Sequence, residues 1–227
     1  MAKTIVMSLG GSLIAPTTID INFLKKFRKV ILEYVKKGNR VIIICGGGNT
    51  CRDYQKAARL VNERITDRDL DWIGIASTKL NAELISGIFG ERAYESILQD
   101  PSKRIVTPKR IIVGAGFYPG SSSDKDAVLA AKAFGAKTVI NLSNITYVYN
   151  KDPRKFKDAK PQKDMTWKNF RKLVGTKWVP GAHVPFDPIA SKLAQSWKMK
   201  LVVTKGSDLN NLKKYLSGDK FRGTVVV

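Results

Sequence analysis

Three groups of glycine residues each come directly after a short run of apolar residues. They are Gly10-Gly11, Gly46 to Gly48, and the set Gly114, Gly116 and Gly120. Glycine lets the backbone approach a ligand closely, and a helix that begins after such a turn presents unpaired N–H groups that suit phosphate oxygens. Tight turns need glycine in any case, so one group alone says little. Three groups that share one sheet edge would form a long phosphate-binding site, or would hold two phosphate ligands end to end.

The sequence excludes several other catalytic arrangements. It contains no G-x-x-x-x-G-K-[ST] motif, no G-x-G-x-x-G motif after the first strand, and no protein-kinase signature set. Two cysteines and a single histidine, His183, are too few for a zinc site, and no other histidine is present for a Ser/His/Asp arrangement. We expect His183 to be structural. The glycine turns remain as the main candidates for chemistry.

The elements that would position these turns alternate between apolar runs and amphipathic segments. Continuous apolar runs predict buried strands at 4–9, 41–45, 110–113, 137–142, 200–203 and 224–227. Apolar residues at three- and four-residue steps predict helices at 20–37, from about 49, at about 69–85, and at 124–134, 188–197 and 209–216. We expect Asp20 to cap the first helix, and Trp72 and Leu80 to face inward. The alternation predicts an α/β protein, a three-layer αβα sandwich with a mostly parallel central sheet.

Composition limits the class of protein. The chain has 227 residues, 43% apolar and 26% charged, which suits one large α/β domain. Its 40 Lys and Arg residues against 19 Asp and Glu residues give a formal charge of +21, which attracts phosphate groups of some kind. Cys45 and Cys51 make no disulfide framework, and the sequence has neither a signal-peptide core nor an apolar run long enough for a membrane span. We therefore expect a cytoplasmic protein.

The segment 150–185 departs from the alternation. It is rich in proline and lysine, with one short helical stretch at 166–174, and we expect an elaborated loop region over one end of the sheet. Its many basic residues are accompanied by Trp167, Phe170 and Trp178. Charge combined with exposed aromatic rings can bind single-stranded nucleic acid. We favour a solvated lysine-rich surface, with nucleic acid as the alternative.

Six motifs connect the glycine turns along the whole chain. They are Gly10-Gly11-Ser12; Gly46-Gly47-Gly48 with Arg52; Asp71 to Ile75 with Thr78 to Ala82; Pro119 to Asp124; Asn144 to Pro153; and Phe186 to Ala190. In this order they resemble the amino-acid-kinase superfamily and, more narrowly, its archaeal-type UMP kinases. Each motif is loose by itself, but the series of six is specific to the superfamily.

The resemblance implies transfer of the γ-phosphoryl group of ATP to UMP, with Mg²⁺ carried on the ATP. Such a transfer needs two phosphate groups in line and neutralisation of the charge on the transferred group. For ATP the resemblance implies Gly11, Ser12, Gly48, Arg52, Ser143, Asn144, Tyr149 and Asp152. For UMP it implies Gly47, Asp71, Phe117, Tyr118, Pro119, Gly120, Ser121, Ser122 and Ser123. The implied catalytic residues are Asp124, Arg52 and Lys192.

The resemblance also implies how the chain is organised. One domain would span residues 1–227, with a phosphoryl-acceptor lobe at approximately 1–135 and an ATP-binding lobe at 136–227. The family is usually hexameric, so we expect a homo-oligomer that binds ATP and UMP and does not bind a membrane.

Two positions depart from the superfamily pattern. Ser8 stands where many members carry a lysine that meets the transferring phosphoryl group, so the cation must come from Arg52, Lys79 or Lys192. Thr146-Tyr147 stands where the pattern has Asp-Gly, and the tyrosine would either crowd or rebuild the adenine pocket.

Structural alternatives stay open for the individual residues and for the protein. Arg52 and Lys192 could simply be solvated, and Asp71 and Asp124 could complement a helix dipole in a first turn. The protein could instead be a sister phosphotransferase that acts on a carboxylate, a carbamate or an isoprenoid phosphate. It could also be a catalytically weakened member that binds nucleotides or RNA as a regulator.

Overall fold

A seven-stranded sheet forms the centre of the computed structural model, which describes residues 2–153, 155–177 and 184–227. Its strands are β1 (Thr4–Leu9), β2 (Arg40–Cys45), β3 (Ile111–Gly114), β4 (Thr138–Ser143), β7 (Asp164–Met165), β8 (Lys200–Lys205) and β9 (Thr224–Val226), in the order β3-β2-β1-β4-β8-β9-β7. All neighbours pair in parallel except β8 and β9. The short strands β5 (Val148–Tyr149) and β6 (Pro161–Gln162) pair separately as an antiparallel hairpin.

Helices follow most of the strands. They are α1 (Gly11–Ile14), α2 (Ile21–Lys36), α3 (Gly48–Val61), α4 (Asp67–Phe89), α5 (Ser123–Ala133), α6 (Trp167–Val174), α7 (Pro188–Ser196) and α8 (Leu209–Ser217), with a 3₁₀ turn at Gly90–Arg92. The predicted cap of α2 is confirmed, because the Asp20 carboxylate accepts a hydrogen bond from the Phe23 N–H at 2.9 Å. Gly38 follows the end of α2 with a φ of +84°, a conformation that glycine adopts without strain.

The core consists of two apolar clusters, one on each face of the sheet. Alternate residues of each strand point to opposite faces, so that Ile5, Met7 and Leu9 join one cluster while Val6 joins the other. Helices α2, α4 and α8 contribute to the first cluster, and α5, α6 and α7 contribute to the second. The three-layer αβα sandwich with a mostly parallel sheet is therefore confirmed.

The inward face of α4 differs from the prediction. Trp72 and Leu80 are 42% and 64% exposed, so the expectation that they face inward is wrong. The helix buries Thr78 and Asn81 along with apolar residues such as Ile85. Polar residues occupy this face because they hydrogen-bond to the glycine turns, as described below.

The segment 150–177 contains the predicted short helix, observed as α6, and it also adds a strand to the edge of the sheet that was not predicted. Strand β7 pairs with β9, and α6 packs against α7. Trp167 and Phe170 are 5% and 0% exposed in the second apolar cluster, so neither offers a ring to a nucleic acid. Trp178 and His183 lie outside the described residues. Over the described ranges, no helix has the length and apolar character to cross a membrane.

Candidate functional site

The first two glycine turns interlock at the carboxyl edge of the sheet. Gly11 begins α1 directly after β1, and Gly48 begins α3 directly after β2. A Cβ atom on Gly11 would stand only 2.3 Å from the Gly48 nitrogen and 2.4 Å from the Gly46 carbonyl oxygen. Gly48 has a φ of +68°, and its own Cβ would meet the Gly11 carbonyl carbon at 2.5 Å. Any side chain at either position would therefore force the two turns apart.

Helix α4 fastens the second and third glycine turns through its buried polar residues. The Asn81 side-chain amide donates hydrogen bonds to the carbonyl oxygens of Gly46, at 2.7 Å, and Gly47, at 3.3 Å. The Thr78 hydroxyl accepts a hydrogen bond from the Gly116 N–H at 2.8 Å. These contacts join the ends of β2 and β3 to one helix. The predicted convergence of the three glycine groups at one sheet edge is thus observed.

Asp71 reaches from α4 to the loop 117–122, which we call the acceptor loop. Its carboxylate accepts a hydrogen bond from the Gly120 N–H at 2.7 Å. The Trp72 ring packs edge-on against the Tyr118 ring, with centroids 5.8 Å apart. The first-turn acidic residues of α4 are Asp67 and Asp69, so Asp71 does not occupy the first-turn position that the helix-dipole alternative assumes.

Asp124 lies where this loop joins α5, under the end of β1. Its carboxylate accepts hydrogen bonds from the Ser8 hydroxyl, at 2.9 Å, and from the Asp187 backbone N–H, at 3.1 Å. In the described parts of the chain, no ion pair includes Asp124. Ser8, at the position discussed above as a departure from the superfamily pattern, thus gives Asp124 a neutral hydroxyl partner.

Two carboxylates that were not predicted as site residues support this region. Asp187 caps α7 by accepting hydrogen bonds from the N–H groups of Ile189 and Ala190, and it also accepts one from the Ser122 hydroxyl at 2.5 Å. Asp126 is fully buried on α5 beneath the acceptor loop. The Asp-Pro pair that opens α7 is a sequence signal for a helix start. The hydrogen bond from the Ser122 hydroxyl joins residues far apart in the sequence, so no local sequence signal predicts it.

Burial raises the pKa of Asp124 to about 7. The hydrogen bonds from Ser8 and the Asp187 N–H lower that pKa, while the negative charges of Asp187 and Asp126 raise it further. With no cation paired to it, the Asp124 carboxylate is costly to ionise in the folded protein.

This raised pKa makes stability depend on pH. A carboxyl group whose pKa is higher in the folded than in the unfolded protein stabilises the folded protein when it is protonated. This contribution to stability is complete below the unfolded pKa of about 3.9. That stability is lost as the pH rises through the folded pKa of about 7. We expect the free energy of unfolding of the wild type to fall between pH 5 and 8 by about 2 kcal/mol more than that of Asp124→Asn. Urea titrations at several pH values measure this difference, and parallel curves for the two proteins would contradict it.

The predicted basic residues and the residues predicted for the nucleoside end of ATP come from α3, α4, α7 and the segment that begins at the end of β4, and one backbone hydrogen bond links the first glycine turn to that end of β4. Arg52 is exposed in α3, where its guanidinium hydrogen-bonds to the Asn49 side chain. Lys192 and Lys79 are exposed on α7 and α4. The residues predicted for the nucleoside end of ATP start at Ser143, the last residue of β4, and continue with Asn144, Tyr149 and Asp152. The link is the Gly10 N–H, which donates to the Leu142 carbonyl oxygen at 3.1 Å and so joins the first turn to this end of β4.

Comparisons with known proteins agree with this geometry. The profile of the Amino acid kinase family matches residues 3–205. A uridylate kinase of Sulfolobus acidocaldarius is 34% identical over 209 residues, which cover 90% of this chain and 91% of that protein. One from Thermoplasma volcanium is 33% identical over 220 residues, covering 96% and 95%.

A solved structure gives the same result for the fold. The crystal structure of uridylate kinase from Archaeoglobus fulgidus superposes with a TM-score of 0.85 at 29% identity, and covers 98% of this chain and 99% of that one. Sequence similarity, fold and the converging glycine turns lead to one conclusion. The chain belongs to the amino acid kinase family, and within that family it is similar to the archaeal uridylate kinases.

Proposed function

We propose that this protein transfers the γ-phosphoryl group of ATP to UMP and releases ADP and UDP. The observation that carries this proposal is the interlocked pair of turns at Gly11 and Gly48, with the acceptor loop held beside them by Asp71. Such turns bring backbone N–H groups close to phosphate oxygens. The relatives named as uridylate kinases support UMP as the acceptor.

We place ATP over the turns after β1 and β2. The N–H groups of Gly11, Ser12 and Gly48 would hold its phosphates, with Arg52 beside them. The nucleoside end would lie on Ser143, Asn144, Tyr149 and Asp152. Support comes from the hydrogen bond between the Gly10 N–H and the Leu142 carbonyl oxygen, which joins the first turn to this end of β4.

Mg²⁺ would arrive bound to the ATP phosphates. Backbone N–H groups bind phosphate oxygens and not cations, so the N–H groups of the glycine turns fit the nucleotide. The metal ion would be coordinated by phosphate oxygens and water. When bound there, Mg²⁺ neutralises charge on the transferred group. Within the described ranges, no group of three His, Cys, Asp or Glu residues is placed to hold a metal ion.

We place UMP between α4 and the acceptor loop. Gly47, Asp71 and the residues from Phe117 to Ser123 would hold it, with Asp71 accepting from the ribose or the base edge. The Asp71 oxygen that does not receive the Gly120 N–H remains available for a ligand donor. The ends of the two nucleotides would then meet between the glycine turns.

The transfer itself follows from this placement. An oxygen of the UMP phosphate attacks the γ-phosphorus of ATP, the bond from that phosphorus to the β–γ bridging oxygen breaks, and the electron pair leaves with ADP. Arg52 and Lys192 supply positive charge to the transferred group, with Lys79 as a third candidate. Their exposure supports this role, because an exposed basic side chain can turn toward a bound nucleotide. Asp124 would orient the acceptor loop relative to β1.

The arrangement also supports two lobes within residues 1–227. Strands β1 to β3 lie on one side of the sheet and come from the acceptor lobe at approximately 1–135. Strands β4, β8, β9 and β7 lie on the other side and come from the ATP lobe at 136–227. The cleft for the two nucleotides would then lie near the junction of β1 and β4.

A coupled ADP-release assay tests the function. The acceptors would be UMP, CMP, AMP and acetylglutamate, each with ATP and with GTP as donor. We expect turnover that depends on UMP. Turnover with acetylglutamate alone would identify a sister phosphotransferase. Absence of turnover with retained UTP or RNA binding would identify a regulator, and a preference for GTP would show that Tyr147 has rebuilt the donor pocket.

We further propose that the protein forms a homo-oligomer, a hexamer by analogy with the family, in which α3 is a contact surface. This helix has no buried residue, and Val61 at its end is 89% exposed. Exposed apolar groups on one helix are typical of a surface that a partner covers. We expect Val61→Glu to lower the molar mass measured by light scattering. Val106→Glu is the matched control, because Val106 is 93% exposed in a loop away from α3. Equal masses for both variants would contradict the assignment of α3.

A further inference from the structure

The buried carboxylate of Asp126 holds both ends of the acceptor loop. One of its oxygens accepts a hydrogen bond from the Ser121 hydroxyl at 2.7 Å, and the other accepts one from the Phe117 backbone N–H at 3.2 Å. The side chain comes from α5, one turn beyond the loop, and is 0% exposed. Because both ends of the acceptor loop donate to the Asp126 carboxylate, the shape of the loop depends on these two hydrogen bonds.

The cost of burying this group shows why both hydrogen bonds are needed. A buried carboxylate without partners is strongly unfavourable, and hydrogen bonds to a charged group offset part of that cost. Lys125 is the one cation found to lower the pKa of Asp126 within the described chain, so the loop itself supplies the two hydrogen-bond donors. Opening the loop would leave Asp126 to find new partners, and the closed loop is therefore favoured.

We propose that Asp126 is a positioning residue for the acceptor, because its carboxylate fastens both ends of the acceptor loop and thereby sets the affinity for the nucleoside monophosphate. This inference rests on the proposed function, in which the loop holds UMP. Asp126 does not touch the acceptor and acts through Phe117 and Ser121. ATP binds over other turns, so its affinity does not depend on Asp126.

Positioning by a carboxylate of this kind is sensitive to pH. Burial raises the pKa of Asp126 to about 6, the Ser121 and Phe117 donors and the charge of Lys125 lower it, and the charge of Asp187 raises it. Asp124, on the same helix turn, is a further interacting charge. A protonated Asp126 still reaches both loop ends, because its O–H can donate to the Ser121 hydroxyl oxygen while its other oxygen accepts from the Phe117 N–H. Because burial under the closed loop raises this pKa, protonation favours the closed loop, and that contribution is lost as the pH rises through about 6.

Steady-state kinetics of Asp126→Ala provide the first test. Alanine removes both acceptor oxygens, so we expect the KM for UMP to rise about tenfold or more, with kcat and the KM for ATP changed about twofold at most. Asp126→Asn is the conservative variant, because its amide oxygen can accept from the Phe117 N–H while its NH₂ donates to the Ser121 hydroxyl oxygen, so it should restore the KM for UMP to within about threefold of the wild type. The monophosphate also titrates near pH 6, so the pH dependence of KM is compared between wild type and both variants. We expect both variants to retain only the substrate's own titration.

Asp208→Ala is the matched control. Asp208 likewise accepts two hydrogen bonds, from the Asn211 N–H at 3.0 Å and the Arg222 guanidinium at 2.5 Å, but it caps α8. We expect it to lower stability and leave the KM for UMP unchanged. If Asp126→Ala lowers stability in the same way with an unchanged KM for UMP, the proposal is wrong.

Amide hydrogen exchange gives a second test that needs neither turnover nor the variant. In the free wild-type protein, we expect exchange of the segment 115–121 to be about tenfold slower at pH 5 than at pH 7.5, after correction for intrinsic rates, while β2 is unchanged. Equal corrected rates would overturn the proposal even if Asp126→Ala does not fold. If the protein fails to phosphorylate UMP but the exchange rates change as expected, the proposed function fails and the positioning role stands.

Discussion

Replacing Gly11 with alanine should abolish phosphoryl transfer and destabilise the protein. The new Cβ would stand 2.3 Å from the Gly48 nitrogen and 2.4 Å from the Gly46 carbonyl oxygen, and both are backbone atoms that cannot turn aside. Overpacking of this kind typically costs about 1–3 kcal/mol or more. The turns would separate, and the amides proposed to hold the ATP phosphates would lose their alignment. We expect a loss of turnover of at least about a hundredfold, since misplacement by about 1 Å can cost that much.

Gly87→Ala is the control for this prediction. Gly87 lies inside α4 with no atom within 4 Å of its added Cβ, so alanine should be neutral or should stabilise the helix by up to about 1 kcal/mol. Urea unfolding and the ADP-release assay would be run on both variants. A Gly11→Ala protein with wild-type stability and turnover would show that the two turns do not interlock as described.

Replacing Asp71 with alanine should raise the KM for UMP about a hundredfold and leave the KM for ATP within about threefold. The carboxylate accepts from the Gly120 N–H of the acceptor loop, and among the described residues its other oxygen, in the place proposed for UMP, accepts no hydrogen bond. The substitution removes both contacts, and hydrogen bonds to a charged group contribute about 1.5–3 kcal/mol each. The measurement is a pair of KM values, one for each nucleotide.

Asp69→Ala separates this effect from a general loss of charge on α4. Asp69 stands two residues earlier and completes the capping box with Thr66, without a contact to the acceptor loop in the described structure. Loss of a cap costs about 1 kcal/mol of stability, and the KM for UMP should not change. If Asp71→Ala and Asp69→Ala behave alike, Asp71 has no role in binding the acceptor.

Parts of the site could be predicted because their signals are local. A continuous apolar run such as Val41–Cys45 predicts a buried strand, and Asp20 before an amphipathic segment predicts a cap. The glycine groups after such strands predict turns at one edge of a parallel sheet. The inward positions of α4 were predicted wrongly at Trp72 and Leu80, because apolar character alone does not show which face meets the polar turns.

The tertiary structure was needed wherever a contact joins distant parts of the chain. Ser8 and Asp124 are separated by 116 positions, and Ser122 and Asp187 by 65. Hydrophobic pattern and helix propensity depend on neighbours a few residues away, so they carry no information about such pairs. The burial of Trp167 and Phe170, which removes two of the three aromatic rings named in the nucleic-acid interpretation, likewise follows from the packing of α6 against α7.

Strands, helix starts and phosphate-suited turns follow from residue types and short spacings, because each depends on local backbone geometry. The interlocking of Gly11 with Gly48 and the neutral partner of Asp124 follow only from the order in which the strands pair. That order brings β1 between β2 and β4, and it is set by burial of both sheet faces across the whole chain.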